Sequence, residues 1–344
     1  MAHRGRAFGS LVLAVLLVAA TGVVLTSFTD LRSLIHALAS GHWPWIAAGV
    51  AVHAAYFVGY ALLYRLGFAV VGVASRTRSL VPVLFAGLFV NVLVPAGAGA
   101  AALFIDDAAR RGQNPAAAAV GVVLVLLLDV ITLIPFVAWG VWYLIRADLL
   151  AAWQMVAVIA FVLYLAVLVA MLVISHRRPA WVRRVLDVAR RAAARVLGWL
   201  HVHRPLDAGW AERTASHFSD AAGAILARPG RLAGAALWAI ALHLINLFGL
   251  WLFVRGFDAQ PPLGGMVAAF ALGILLFVVV VIPQAAPVVE ATMTATFIHI
   301  GVPRGRAVAV TLAFRSVNFW LPLALGLAAA WRLRKLGVRR AELP

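Results

Sequence analysis

The sequence predicts an all-α polytopic membrane protein with about six full spans and two broken re-entrant helical hairpins in an inverted repeat. Three observations carry this expectation. Hydrophobic residues make up 65% of the 344-residue chain, mean hydropathy is +1.00, and several apolar runs reach the ~20 residues a helix needs to cross a bilayer. Two apolar segments are interrupted, at Asn91-Val92-Leu93-Val94-Pro95-Ala96-Gly97-Ala98-Gly99 and at Pro283-Gln284-Ala285-Ala286-Pro287. Arginines flank the first interrupted segment on both sides, which a single crossing would violate and a hairpin satisfies.

The elements follow in order. A first span, Ser10 to Ser27, comes after the basic lead His3, Arg4, Arg6 and lacks a small-residue cleavage site, so it is expected to be retained. Trp43-Pro44-Trp45 opens the second span, to Leu66, as an interfacial belt. The segment Leu80 to Arg111 breaks where Pro95 removes an N–H and Gly97 and Gly99 loosen the backbone. Span three, Pro115 to Tyr143, carries Asp129 in an otherwise apolar run, and span four runs from Leu150 to Ile174. The polar region 176–231 holds eleven arginines alternating with apolar residues, the pattern of a basic helix on an anionic leaflet. Span five covers Leu232 to Val254, the second broken segment 263–301, and span six Arg306 to Trp331.

Charge tests that order. Twenty-three of the 29 Lys+Arg fall on one side if the N terminus is cytoplasmic, five (Arg32, Arg146, Arg255, Arg304, Arg306) on the other, and Arg315 inside a span. Both termini are therefore expected in the cytoplasm. Residues 1–147 then form a first repeat of span, span, hairpin, span, and residues 148–344 repeat the order from the opposite face, the layout of secondary transporters. The net charge of +17 belongs to this topology and to the membrane surface rather than to nucleic acid. Cysteine is absent, which excludes disulfides and thiol chemistry. Lys335 is the only lysine, the usage of a GC-rich bacterial gene.

Three ionisable residues stand at membrane depth: Asp129, Glu290 and Arg315. Each costs at least ~2.5 kcal/mol there unless it faces a partner or a wet cavity. Arg315 lies 32 residues beyond Pro283 and Asp129 lies 34 beyond Pro95, so they hold equivalent places in the two halves. Asp129–Arg315 and Glu290–Arg315 pairs are both compatible with that spacing, as a substrate site or as a structural ion pair. Asn91, Pro95, Gly97 and Gly99 form a break that either aims a half-helix N-terminus at a phosphate or kinks a span. Most of His53, His243, Asn246, His299 and Asn318 are expected to be interhelical hydrogen-bonders rather than proton carriers. Asp106 and Asp107 suit an interfacial helix end better than a metal site, and no metal or cofactor is expected.

Asn91-x-x-x-Pro95-x-Gly97, Arg110-Arg111-Gly112 and Asp129 in the first half, with Pro283, Glu290, Gly301-Val302-Pro303, Arg315, Trp320, Pro322 and Gly326 in the second, resemble the transmembrane region of lysylphosphatidylglycerol synthase and its stand-alone flippase-like relatives. The likeness spans nearly the whole chain. Gln284 to Val289 departs from a Gly-Gly-x-Gly pattern of that family, and Leu126 stands where an arginine is frequent. The resemblance implies a lipid translocase of the bacterial plasma membrane without the soluble aminoacyl-transferase domain. Asn91, Pro95, Gly97, Gly99, Asp129, Pro283, Glu290 and Arg315 are its expected translocation residues. No catalytic set is visible. The implied partners are anionic or lipid-linked membrane lipids, with an oligomer or a soluble enzyme docked on 176–231 compatible with the pattern. The alternative is an accessory or catalytic membrane subunit of a lipid-dependent transferase.

Overall fold

The computed structural model describes residues 41–93, 98–177, 223, 227–279 and 286–329. The elements there are α1 (Trp43–Val70), α2 (Thr77–Leu93), α3 (Ala98–Arg110), α4 (Pro115–Arg146), α5 (Ala152–Arg177), α6 (Pro229–Gly256), α7 (Leu263–Val279), α8 (Ala286–His299) and α9 (Arg304–Arg315). A π-helical turn, Ser316–Trp320, follows α9, and the helix continues to Ala329. Among the described residues α1, α4, α6 and the whole of Arg304–Ala329 are long and apolar enough to cross a membrane. With its 26 residues α5 also has the length of a span. The all-α polytopic class is as the sequence predicts. The expected first span and most of region 176–231 lie outside the described residues, as do Pro95, Gly97 and Pro283.

The antiparallel pair α1 and α6 forms the centre. At one end the His42 N–H donates to the Gly256 carbonyl at 2.7 Å. At the other, Arg228 and Arg231 donate to the Val70 and Ala69 carbonyls, both at 3.0 Å. These arginines fill acceptors that the last turn of α1 leaves open. Small residues let the helices close up between those ends. A Cβ on Gly49 would stand 2.9 Å from Phe253 Cζ, and one on Gly59 would stand 2.8 Å from Leu242 Cδ2.

Each broken segment doubles back. Arg111 Nη1 donates to the Ala74 carbonyl at 2.6 Å and the Ala74 N–H donates to Gln113 Oε1 at 2.9 Å, closing the base of the α2–α3 hairpin. At its tip the Ala100 N–H donates to Asn91 Oδ1 at 2.9 Å. In the α7–α8 hairpin, Gly265 faces Ile300 at the base and Gly273 faces Met293 nearer the tip. The first hairpin begins where α1 ends and the second where α6 ends. Because α1 and α6 are antiparallel, the hairpins open toward opposite ends of the bundle.

Each hairpin is also crossed by a span from the other half at a glycine. Gly140 of α4 lies on Ala268 of α7, whose Cα would be 2.7 Å from an added Cβ. Gly326 lies on α2, where a Cβ would meet the Phe85 carbonyl oxygen and stand 2.9 Å from Phe89 Cβ. Two large apolar cores result, one around Phe57, Leu63, Phe68 and Phe104, the other around Phe253, Phe270, Phe297 and Phe314, with a small third cluster at Leu144, Ala268 and Leu272.

The ends of the bundle differ chemically. Trp43, Trp45, Trp139, Trp142 and Trp153 are exposed where α1 and α5 begin and α4 ends. At this end Arg255 stands 5.8 Å over the Trp45 ring and 6.0 Å over Trp251, and Arg146 stands 5.7 Å over Trp142. This is an interfacial aromatic belt. Arg76, Arg78, Arg110, Arg111, Arg228 and Arg231 gather at the other end, about α2, α3 and the start of α6.

The chain has no cysteine, so single cysteines report the sidedness cleanly. Gly265 is a poor labelling site, since its Cβ would press to 2.6 Å from Ile300 Cδ1. Arg110 and Gln260 are exposed. In intact cells, an impermeant maleimide should label Gln260→Cys and reach Arg110→Cys only after permeabilisation. Equal labelling of both in intact cells would refute hairpins opening on opposite faces.

Candidate functional site

The second hairpin and the last span bring Glu290 and Arg315 together. Arg315, the last residue of α9, is 6% exposed, and its Nε lies 3.7 Å from Glu290 Oε1. That is an ion-pair distance, beyond hydrogen-bond length. The Trp320 indole N–H donates to the same carboxylate oxygen at 3.2 Å. The Arg315 guanidinium stands 4.6 Å over the Phe319 ring, a cation–π contact that holds the fork's plane. Arg315 Nε and Nη2 are buried without a hydrogen bond. Buried donors are rarely left open, and an acceptor brought to them would gain a charge-assisted bond.

Local sequence explains this arrangement. Pro322 has no N–H to offer the Asn318 carbonyl, so the regular ladder fails just ahead of it. The Leu321 N–H instead donates to the Ser316 carbonyl, the i→i+5 bond of a π turn. That widened turn carries Asn318, Phe319 and Trp320, and puts Phe319 and Trp320 around the Arg315–Glu290 pair. The Ser316 hydroxyl donates to the Leu312 carbonyl at 2.7 Å, a back-bond that favours bending there.

Asp129 takes different partners. It stands at the middle of α4, where the Tyr60 hydroxyl donates to its Oδ2 at 3.2 Å. His243 Nε2 lies 3.7 Å from its Oδ1 and 2.9 Å from its backbone carbonyl. Tyr56, Tyr60 and Tyr64 lie along one face of α1 with successive rings 5.8 and 5.9 Å apart. One turn along α6 from His243, Asn246 accepts from Asn318 Nδ2 at 2.9 Å. His53 bonds the Gly49 carbonyl of its own helix at 2.8 Å and packs 5.3 Å from Phe314. A polar seam thus runs through the centre of the bundle, contributed by α1, α4, α6, α8 and the π turn.

The first break contributes differently. Asn91 spends its side-chain oxygen on the Ala100 N–H, so it caps the returning helix from the arriving one and satisfies a first-turn donor. Gly99 is buried at the same tip, where a Cβ would strike Val90 Cγ1. The glycine lets the arms meet backbone to backbone. Asp106 and Asp107 form i,i+4 pairs with Arg110 and Arg111, both at 2.7 Å, closing the helix end as expected. Among the described residues no group of three or more metal-binding side chains occurs.

Of the expected site residues, Glu290 and Arg315 meet, while Asp129 meets Tyr60 and His243. Two partners escaped sequence reasoning. Tyr60 belongs to the Tyr56, Tyr60, Tyr64 series at i, i+4, i+8, a spacing that places three hydroxyls on one face. Phe319 offered no signal beyond its place next to Trp320. A family model described as the lysylphosphatidylglycerol synthase TM region matches residues 10–326. No curated protein and no solved structure matches the chain significantly.

Proposed function

Because the chain belongs to the lysylphosphatidylglycerol synthase TM region family, we propose that it moves a lipid or lipid-linked amphiphile between the leaflets of the bacterial inner membrane, with both termini cytoplasmic. The observation that carries this reading is the buried Arg315, with two donor nitrogens, Nε and Nη2, that make no hydrogen bond, beside Glu290. An anionic headgroup oxygen completes that donor set, and the polar seam gives the headgroup a path while acyl chains stay in lipid. The two halves act as inverted repeats in this reading, and the hairpins form the walls of the groove. Movement needs no covalent chemistry. Headgroup recognition and its release to either face suffice.

The test is leaflet exchange in vesicles. Purified protein in liposomes of phosphatidylglycerol and phosphatidylcholine, with fluorescent analogues of both, should speed the bleaching of inner-leaflet fluorophore by dithionite. The anionic analogue should exchange faster. Protein-free rates for every analogue, together with turnover of a lipid donor, would replace this reading with a lipid-dependent transferase subunit.

A further inference from the structure

Among the described residues, the interior of the bundle holds no fixed cation left over to balance Asp129. At mid-depth in the described helices stand two carboxylates, Asp129 and Glu290, and one guanidinium, Arg315. Glu290 and Arg315 lie together, which leaves Asp129 as the odd charge. Arg65, nearer the end of α1, is exposed.

Among the described side chains of the helices packed on α4, His243 is the group beside Asp129 that can become a cation, and only when protonated. From α1 come His53, Tyr56, Tyr60 and Tyr64, with Tyr60 in contact. From α6 comes His243, and α7 has no titratable residue. Tyr164 is the titratable residue in the part of α5 whose side chains are described. Asp106, Asp107 and Arg110 sit at the far end of α3, the first and last of them paired with each other. An unbalanced carboxylate at membrane depth is costly, and one proton removes the cost.

We propose that Asp129, with His243 and Tyr60, is a proton-binding site that takes up and releases one proton in each working cycle. The geometry specifies where the proton goes. A carbonyl oxygen only accepts, so His243 Nε2 keeps its hydrogen on the Asp129 carbonyl. Nδ1 is then the imidazole nitrogen open to a proton. Tyr60 donates to Oδ2, which leaves Oδ1, 3.7 Å from the imidazole, as the carboxyl oxygen that is protonated. The Asp129 side chain is 21% exposed against 5% for His243, so the carboxylate is the member of the pair that exchanges the proton with the outside of the seam. Proton binding requires only this geometry. Its use to drive exchange rests on the translocase reading above.

Infrared difference spectra of the protein in lipid nanodiscs, recorded as pH is stepped from alkaline to acid, test the site without a transport assay. A protonated-carboxyl band should appear on acidification, vanish in Asp129→Asn and persist in Glu290→Gln. Tyr60→Phe, which keeps the ring and removes only the donated bond, should move that band to higher frequency. If Asp129→Asn does not fold, the Tyr60→Phe shift alone decides. No Asp129-dependent band, a band unmoved in Tyr60→Phe, or one suppressed by sodium at constant pH would overturn the proposal. In liposomes an imposed pH gradient should bias wild-type exchange, and Asp129→Asn should remove the bias from whatever exchange it retains. The band without wild-type exchange supports the proton site and overturns the translocase reading. Exchange without the band does the reverse.

Discussion

Arg315→Ala should slow leaflet exchange by about tenfold to about a hundredfold, the loss expected when one charge-assisted hydrogen bond worth ~1.5–3 kcal/mol is removed from the bound headgroup. The substitution also strips Glu290 of the cation at 3.7 Å. Breaking a buried pair from one side costs ~3–5 kcal/mol of stability, so loss of fold could imitate loss of transport. Removing both charges separates the two effects. Arg315→Gln with Glu290→Gln leaves no uncompensated ion, and should restore thermal stability in detergent while exchange stays low. Recovery of exchange in that double variant would show that the pair only holds the last span to the second hairpin. Arg315→Lys keeps the charge but loses the planar fork and its contact with Phe319, and should recover little.

Gly326 is the second sensitive point, and its effect is on packing. A methyl there meets the Phe85 carbonyl oxygen and crowds Phe89, and backbone cannot swing aside as a side chain can. Gly326→Ala should therefore destabilise by ~1–3 kcal/mol although alanine is the better helix former by ~1 kcal/mol. Gly326→Leu should detach the last span from the first hairpin altogether. Gly140→Ala, on the reciprocal crossing at Ala268, should behave like Gly326→Ala. Gly234→Ala supplies the contrast, since nothing lies within 4 Å of its added Cβ, and it should be neutral or stabilising. Melting by intrinsic fluorescence, followed by the vesicle assay, measures all four. Wild-type stability for Gly326→Ala would mean that the crossing is looser than its geometry requires.

Some of this was legible in the chain and some was not, for identifiable physical reasons. Hydropathy and the Pro95 and Pro283 breaks mark the broken helices because desolvation and a missing N–H act locally. The arginines on both sides of 80–111 called for a hairpin because charge placement is a one-dimensional constraint, and the closed base at Ala74, Arg111 and Gln113 agrees. The partner of Arg315 was not legible. Asp129 and Glu290 were both eligible by sequence, and only the rotation of the last span, set by its π turn, brings Arg315 to Glu290. The crossings at Gly140 and Gly326 join halves far apart in sequence, and small residues in apolar runs do not name their counterparts. At Asn91 the sequence does not choose, because an amide at a break can serve a ligand or the backbone. Its bond to Ala100 shows the side chain capping the hairpin from within.

The π turn at Ser316–Trp320 sets the phase of the helix that contains it. In an uninterrupted α-helix, residues eleven apart return to nearly the same face, at ~100° per residue. Arg315 and Gly326 are eleven apart, so a regular helix would point both at one neighbour. One extra residue in the turn offsets the two stretches by ~100°. The segment before it directs Arg315 to the second hairpin, and the segment after it seats Gly326 on the first. A single span thereby faces two hairpins that open on opposite ends of the bundle. Deleting one residue from the turn would realign the faces and force the helix to abandon one of them.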